Sequence, residues 1–134
     1  MPDTADPRPV VLYDHDCGFC RWSLAKLLAW DRRRALRPAP IQSDQGRRLL
    51  VGMTEKERLA SWHLVDSDGV HSGGAAFAPA LRRLPGGRPL AALAERLPGL
   101  TARGYGVVAG NRSFFGRRLS DGAKRRADRR IAAR

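Results

Sequence analysis

The stretch that most constrains this chain is Pro9–Trp22, "PVVLYDHDCGFCRW". Its first half, Pro9 to Asp14, is a short β-branched and aromatic run closed by turn-type residues, which reads as a buried strand. From Cys17 the pattern changes, because Cys20, Leu24, Leu27 and Leu28 recur at helical spacing while Arg21 and Lys26 fall on other faces. The run ends in the basic "DRRR", Asp31–Arg34, which suits a helix C-terminus. The local order is therefore strand, Cys-x-x-Cys, helix.

The rest of the chain extends this unit. "LRPAPI", Leu36–Ile41, is a strand candidate, and Pro38 and Pro40, which cannot donate to a ladder, confine it to a sheet edge. Asp44 is read as the cap of a short helix, and Thr54 with Glu57 makes a capping-box signature for another helical turn. Around Ser67-Asp68-Gly69 two short runs form a hairpin signal, and Phe77, Leu81 and Leu84 then mark a further helix. "GGRPLAALAERL" reads as an amphipathic helix, and the segment from Pro98 to Ser120 as a less regular helical one. The order is β-α-β-α-β-β-α with helices appended, an α/β class.

With 134 residues the chain has the size of one domain, and 43% hydrophobic residues suffice for a core without cross-links. We expect a disordered segment over 1–8, the folded domain over 9–116 and a frayed basic tail over 117–134. That tail holds eight basic residues against Asp121 and Asp128, half of the formal net charge of +12. One lysine among those eight, in a chain rich in Ala, Gly and Pro, fits a compositional preference for arginine, so the charge does not by itself argue for nucleic acid. The first ten residues carry two acids and no apolar run, and no apolar stretch approaches the roughly 18 residues of a membrane span. The expected setting is a reducing cytosol, where a Cys-x-x-Cys pair is catalytic or metal-binding more often than structural.

Three readings of Cys17 and Cys20 compete: a redox dithiol, half of a zinc site, and two small buried hydrophobes. Zinc needs about four ligands, so His15, His63 or His71 would have to complete the set, and none stands at ligand-like spacing. The redox reading makes Cys17 the nucleophile, at a helix N-terminus that favours its thiolate, and Cys20, one turn on, the resolving thiol. Asp16 is the expected N-cap, although its charge opposes a low Cys17 pKa. Asp14 is a candidate to accept or return the Cys20 proton. No metal or cofactor is called for; the expected partner is a disulfide-containing protein or a low-molecular-weight thiol, with the electron donor not legible.

Through Tyr13, Asp14, Asp16, Cys17 and Cys20 the chain resembles the DCC family of thiol-disulfide oxidoreductase-like proteins, whose hallmark is an aspartate shortly before a Cys-x-x-Cys pair. "DSDGVHSGGAAFAPALRRLP" and "YGVVAGNR" resemble it more loosely, so the likeness spans about residues 9 to 115. The resemblance implies a thioredoxin-like fold, glutaredoxin-like in layout, with sheet order 2-1-3-4. It also implies an anion-binding turn at Ser72-Gly73-Gly74, where glutaredoxins hold a glutathione carboxylate on backbone N–H groups. The chain departs from the pattern at His15, where the family carries glycine, and at Ala60-Ser61, where thioredoxin-like chains hold a cis-proline.

Overall fold

A computed structural model describes residues 6–134. Its centre is β1 (Val10–Tyr13), four apolar or aromatic residues with no exposed position. Such a run needs cover on both faces, and it receives it. Val11 and Tyr13 point into one cluster with Leu24, Leu28, Leu36, Leu64 and Leu84. Val10 and Leu12 point into another with Ile41, Leu49, Leu50 and Val65. The alternation of a strand thus builds two cores from four consecutive residues.

The sheet runs β2-β1-β3-β4, with β2 (Arg37–Pro40) parallel to β1, β3 (His63–Asp66) antiparallel to β1, and β4 (Gly69–Ser72) closing a hairpin with β3. This is the thioredoxin-like order that the resemblance implies. The prolines explain why β2 stands at the edge. Arg37 N–H donates to the Pro9 carbonyl at 2.9 Å and Ile41 N–H to that of Tyr13 at 2.8 Å, so the odd residues face β1. Pro38 and Pro40 therefore turn their donor-less nitrogens to the open side, where no ladder bond is lost.

Helix α1 (Gly18–Trp30) crosses one face of the sheet. The other face is covered by α2 (Asp44–Leu49) with Leu50, Met53 and Leu59, the last residue of α3 (Glu55–Leu59). The Thr54–Glu57 capping box forms as expected, but α2 is capped one residue earlier than expected. Ser43 Oγ accepts the Gly46 N–H at 3.1 Å, and Asp44 occupies the first helical turn. After β4 comes a 3-10 turn (Gly73–Ala76), then α4 (Phe77–Leu81), α5 (Arg88–Arg96), α6 (Pro98–Gly110) and α7 (Arg112–Arg118). The segment expected to be irregular is thus two well-formed helices, α6 seated on the 3-10 turn and α7 on α1.

The C-terminal region is the main correction. Residues 121–132 are not a frayed tail but α8 (Asp121–Ala132), capped by Ser120 and packed along α1. Its charges occupy the outer faces, while Ala127 is buried and Ile131 joins the α1 core. The end of α8 is locked by Arg134, whose Nη1 lies 3.0 Å from Asp31 Oδ2 and whose Nη2 donates to the Asp31 carbonyl at 2.8 Å. Asp31 is 0% exposed and also accepts the N–H groups of Ala35 and Leu36, both at 3.0 Å. These bonds end α1 at Trp30 and place Arg34 in a left-handed conformation, with φ at 53°, so the basic run follows the helix rather than forming its last turn. At the other terminus the expected disorder over 1–8 falls partly on residues 1–5, outside those described. Asp6 and Arg8 are ordered, with Arg37 Nη2 donating to the Asp6 carbonyl at 3.2 Å.

A buried charge left without its partner is expensive. Arg134→Ala should lower the unfolding free energy by about 3 kcal/mol, read from urea denaturation, because Asp31 keeps its backbone donors but loses its counter-charge.

Candidate active site

The loop between β1 and α1 is shaped by Asp14. Its carboxylate Oδ1 accepts the Asp16 N–H at 3.0 Å, and its carbonyl accepts the Cys17 N–H at 3.2 Å. Gln42, just past β2, braces the same loop by donating from Nε2 to Asp14 Oδ1 at 2.8 Å while its Oε1 accepts the His15 N–H at 3.1 Å. His15 and Asp16 are left facing solvent.

These turns shift the helix start by one residue. Asp16 is not the N-cap; Cys17 is, with extended backbone dihedrals and a sulfur that accepts the Cys20 N–H at 3.2 Å. An atom that caps a helix sits where unpaired N–H groups and the helix dipole favour negative charge. The Cys17 thiol is accordingly brought down to about 6. The largest cause is a hydrogen bond from the Cys20 thiol; burial opposes it, and the Cys20 N–H and the Arg112 guanidinium add to the lowering against Asp14. Cys20 goes the other way. Its proton is held by the bond to Cys17, by burial and by the Cys17 charge, so its thiol is raised far above the ordinary range. The pair is therefore asymmetric, with an ionised outer sulfur and a protonated inner one.

The inner sulfur opens on a cavity of about 380 Å³. Phe19, Cys20 and Leu27 of α1 form one side, Trp62 and Phe77 another, and Tyr105 of α6 a third, with Asp14 and Arg112 also on its lining. Neither Tyr105 nor Arg112 carries a motif of its own. Both stand in the "YGVVAGNR" segment, and that resemblance was the only sequence signal for them. Tyr105 Oη accepts the Trp62 N–H at 3.2 Å, just ahead of β3, and burial raises its phenol. Arg112 is pinned by a 3.0 Å bond from Nη2 to the Leu59 carbonyl. The Ala60-Ser61 bond is trans, as is every described peptide bond.

At Ser72-Gly73-Gly74, where the resemblance implies an anion-binding turn, two polar groups have partners within the fold. Ser72 Oγ is 2.7 Å from His63 Nδ1, and Gly73 N–H donates to the Trp62 carbonyl at 3.1 Å. Gly73 has φ +59° and a Cβ there would stand 3.3 Å from the Tyr105 ring, while one on Gly74 would stand 3.0 Å from Ala102 Cα. The glycines serve a left-handed turn and the close seating of α6.

The histidines weighed as zinc ligands are dispersed. His63 is buried with Nε2 2.8 Å from the Arg58 carbonyl, and His71 pairs with Asp66 at the hairpin end, 3.0 Å away. Among the described residues no three His, Cys, Asp or Glu side chains converge on one metal position.

Comparison with known families meets the same stretch of chain: the model of the DCC1-like thiol-disulfide oxidoreductase family matches residues 11–118. The chain belongs to that family. No curated protein and no solved structure matches it significantly. Within this DCC1-like chain the matched span covers β1, the cysteines, Tyr105 and Arg112, and it stops before α8. No helix among the described residues is long and apolar enough to cross a membrane.

The causes of the Cys17 shift can be separated by mutation. Cys20→Ala should raise the Cys17 pKa most, since it removes the strongest donor; Arg112→Ala should raise it less, and Arg112→Lys less again. The pH dependence of iodoacetamide alkylation at Cys17 reads all three.

Proposed function

We propose that the protein carries out thiol–disulfide exchange, with Cys17 as the attacking sulfur and Cys20 as the resolving one. The observation that carries this reading is the asymmetry of the pair: the sulfur capping α1 is brought down to about 6, and its neighbour is held protonated. Near neutral pH the nucleophile is then already a thiolate, and its pKa is close to ambient pH, where exchange is fastest.

The reduced protein acts in two steps. The Cys17 thiolate attacks one sulfur of a substrate disulfide, forming a mixed disulfide, and the other substrate sulfur leaves as a thiolate that takes a proton from water. Forming that bond removes the Cys17 charge that held the Cys20 proton, so the Cys20 pKa falls. Cys20 then loses its proton, attacks Cys17 Sγ and expels the second substrate thiolate. Two electrons and the Cys20 proton pass to the substrate, and the protein is left with a Cys17–Cys20 disulfide. A dithiol donor returns it to the reduced form by the reverse exchange.

In this scheme Asp14 takes the Cys20 proton and returns it to the departing substrate thiolate. Its support is that its charge raises both thiols and that it shares the cavity lining with Cys20. Asp16 has no part in the chemistry; it is exposed and its N–H only completes the Asp14 turn. A reducing cytosol, where the pair rests as two thiols and disulfides arrive as substrates, is the setting of this reading.

Trapping in cells tests the reading. Cys20→Ser should accumulate mixed disulfides through Cys17, visible on non-reducing gels, and Cys17→Ser/Cys20→Ser should accumulate none. Absence of any adduct, together with stoichiometric zinc released on thiol alkylation of the wild-type protein, would overturn it in favour of a metal-binding module.

A further inference from the structure

We infer that the cavity beside Cys20 is the substrate pocket, and that it selects low-molecular-weight disulfides carrying an aromatic or branched apolar group on sulfur. This rests on the exchange reading above and goes beyond it by naming the substrate class.

Three features support the assignment. The cavity, about 380 Å³, is in the size range of small-molecule sites and has room for one aromatic group. Its walls are almost wholly carbon: Phe19, Trp62, Phe77 and Val108 surround the space into which Cys20 opens. Finally, α6 fills the Ser72–Gly74 turn with Ala102 and Tyr105 and at the same time forms a side of the cavity. One element therefore packs against that turn and supplies an apolar wall, which offers nothing to a charged peptide-like thiol such as glutathione.

The chemistry is unchanged by the selectivity. The Cys17 thiolate, hydrogen-bonded to the cavity-lining Cys20, forms a bond to one sulfur of the bound disulfide, and the other sulfur leaves as a thiolate and is protonated by water. Apolar burial raises the occupancy of the reactive complex and so the second-order rate.

The test compares benzyl 2-hydroxyethyl disulfide, bis(2-hydroxyethyl) disulfide and glutathione disulfide as oxidants of the reduced wild-type protein in stopped-flow tryptophan fluorescence. Alongside, binding of benzyl methyl sulfide, which has no disulfide to exchange, is followed by calorimetry. The benzyl compound should react about tenfold or more faster than either polar disulfide, from burial of one aromatic group. Ala109→Trp, which fills the cavity from α6, should bring the ratio towards one and abolish sulfide binding. If the three disulfides react within about twofold of one another, with no sulfide binding, the pocket assignment is wrong and the exchange reading stands. If none reacts, the exchange reading and the substrate assignment both fail, and sulfide binding then reports only whether the cavity takes apolar ligands. A peptide disulfide with phenylalanine next to its cysteine that outpaces the benzyl compound tenfold would overturn the small-molecule form in favour of a protein side chain.

Discussion

Because the first turn of α1 is capped by Cys17 Sγ rather than by an oxygen, helix formation and thiol chemistry here are one interaction. The Cys20 N–H that fills the sulfur's lone pair is both an otherwise orphaned helix donor and a stabiliser of the thiolate. Anything that moves the start of α1 by a fraction of a turn changes the reactivity of the site. The surrounding structure can be understood as what holds that start in place: the Asp14 turns and Gln42 from the loop side, the doubly buried β1 from below, and the packing of α7 and α8 from above.

The appended helices matter more than their position suggests. Helix α8 contributes no reactive group, yet with the buried Asp31–Arg134 pair it fixes the far end of the helix whose near end carries the cysteines. Helices α6 and α7 act at the site itself. Tyr105 takes the backbone N–H of Trp62, Arg112 adds positive charge near both sulfurs, and α6, seated on Gly73 and Gly74, supplies an apolar wall to the cavity. Within a thioredoxin-like core, the cavity beside Cys20 is thus walled in part by residues far along the chain from the Cys-x-x-Cys pair.

What the sequence made legible was local. The β1 run, the proline-marked edge strand, the Asp-Gly hairpin and the Thr54–Glu57 box each follow from the conformational limits of a few neighbouring residues, and all four are present. The errors arose where one local signal competed with another. Asp16 looked like a cap because aspartate caps well, but Asp14 claimed the loop hydrogen bonds first and left Cys17 at the boundary. The same competition let Ser43 displace Asp44 at α2. The α8 region was misjudged because its charge density hides a sparse apolar face, and because an arginine that ends up buried against Asp31 looks like any other in a basic run. Tyr105 and Arg112 reach the site only through tertiary packing, which no spacing in the chain encodes.

The proposed exchange chemistry depends on the inequality of two thiols three residues apart. The direct measurement is a pH titration of the reduced wild-type protein by thiolate absorbance, with Cys17→Ser and Cys20→Ser as controls. One thiolate should appear with a midpoint near 6, assigned to Cys17, and the second should stay protonated through the range in which the protein is folded. Two thiols ionising together near the ordinary cysteine value of about 8.5 would contradict it.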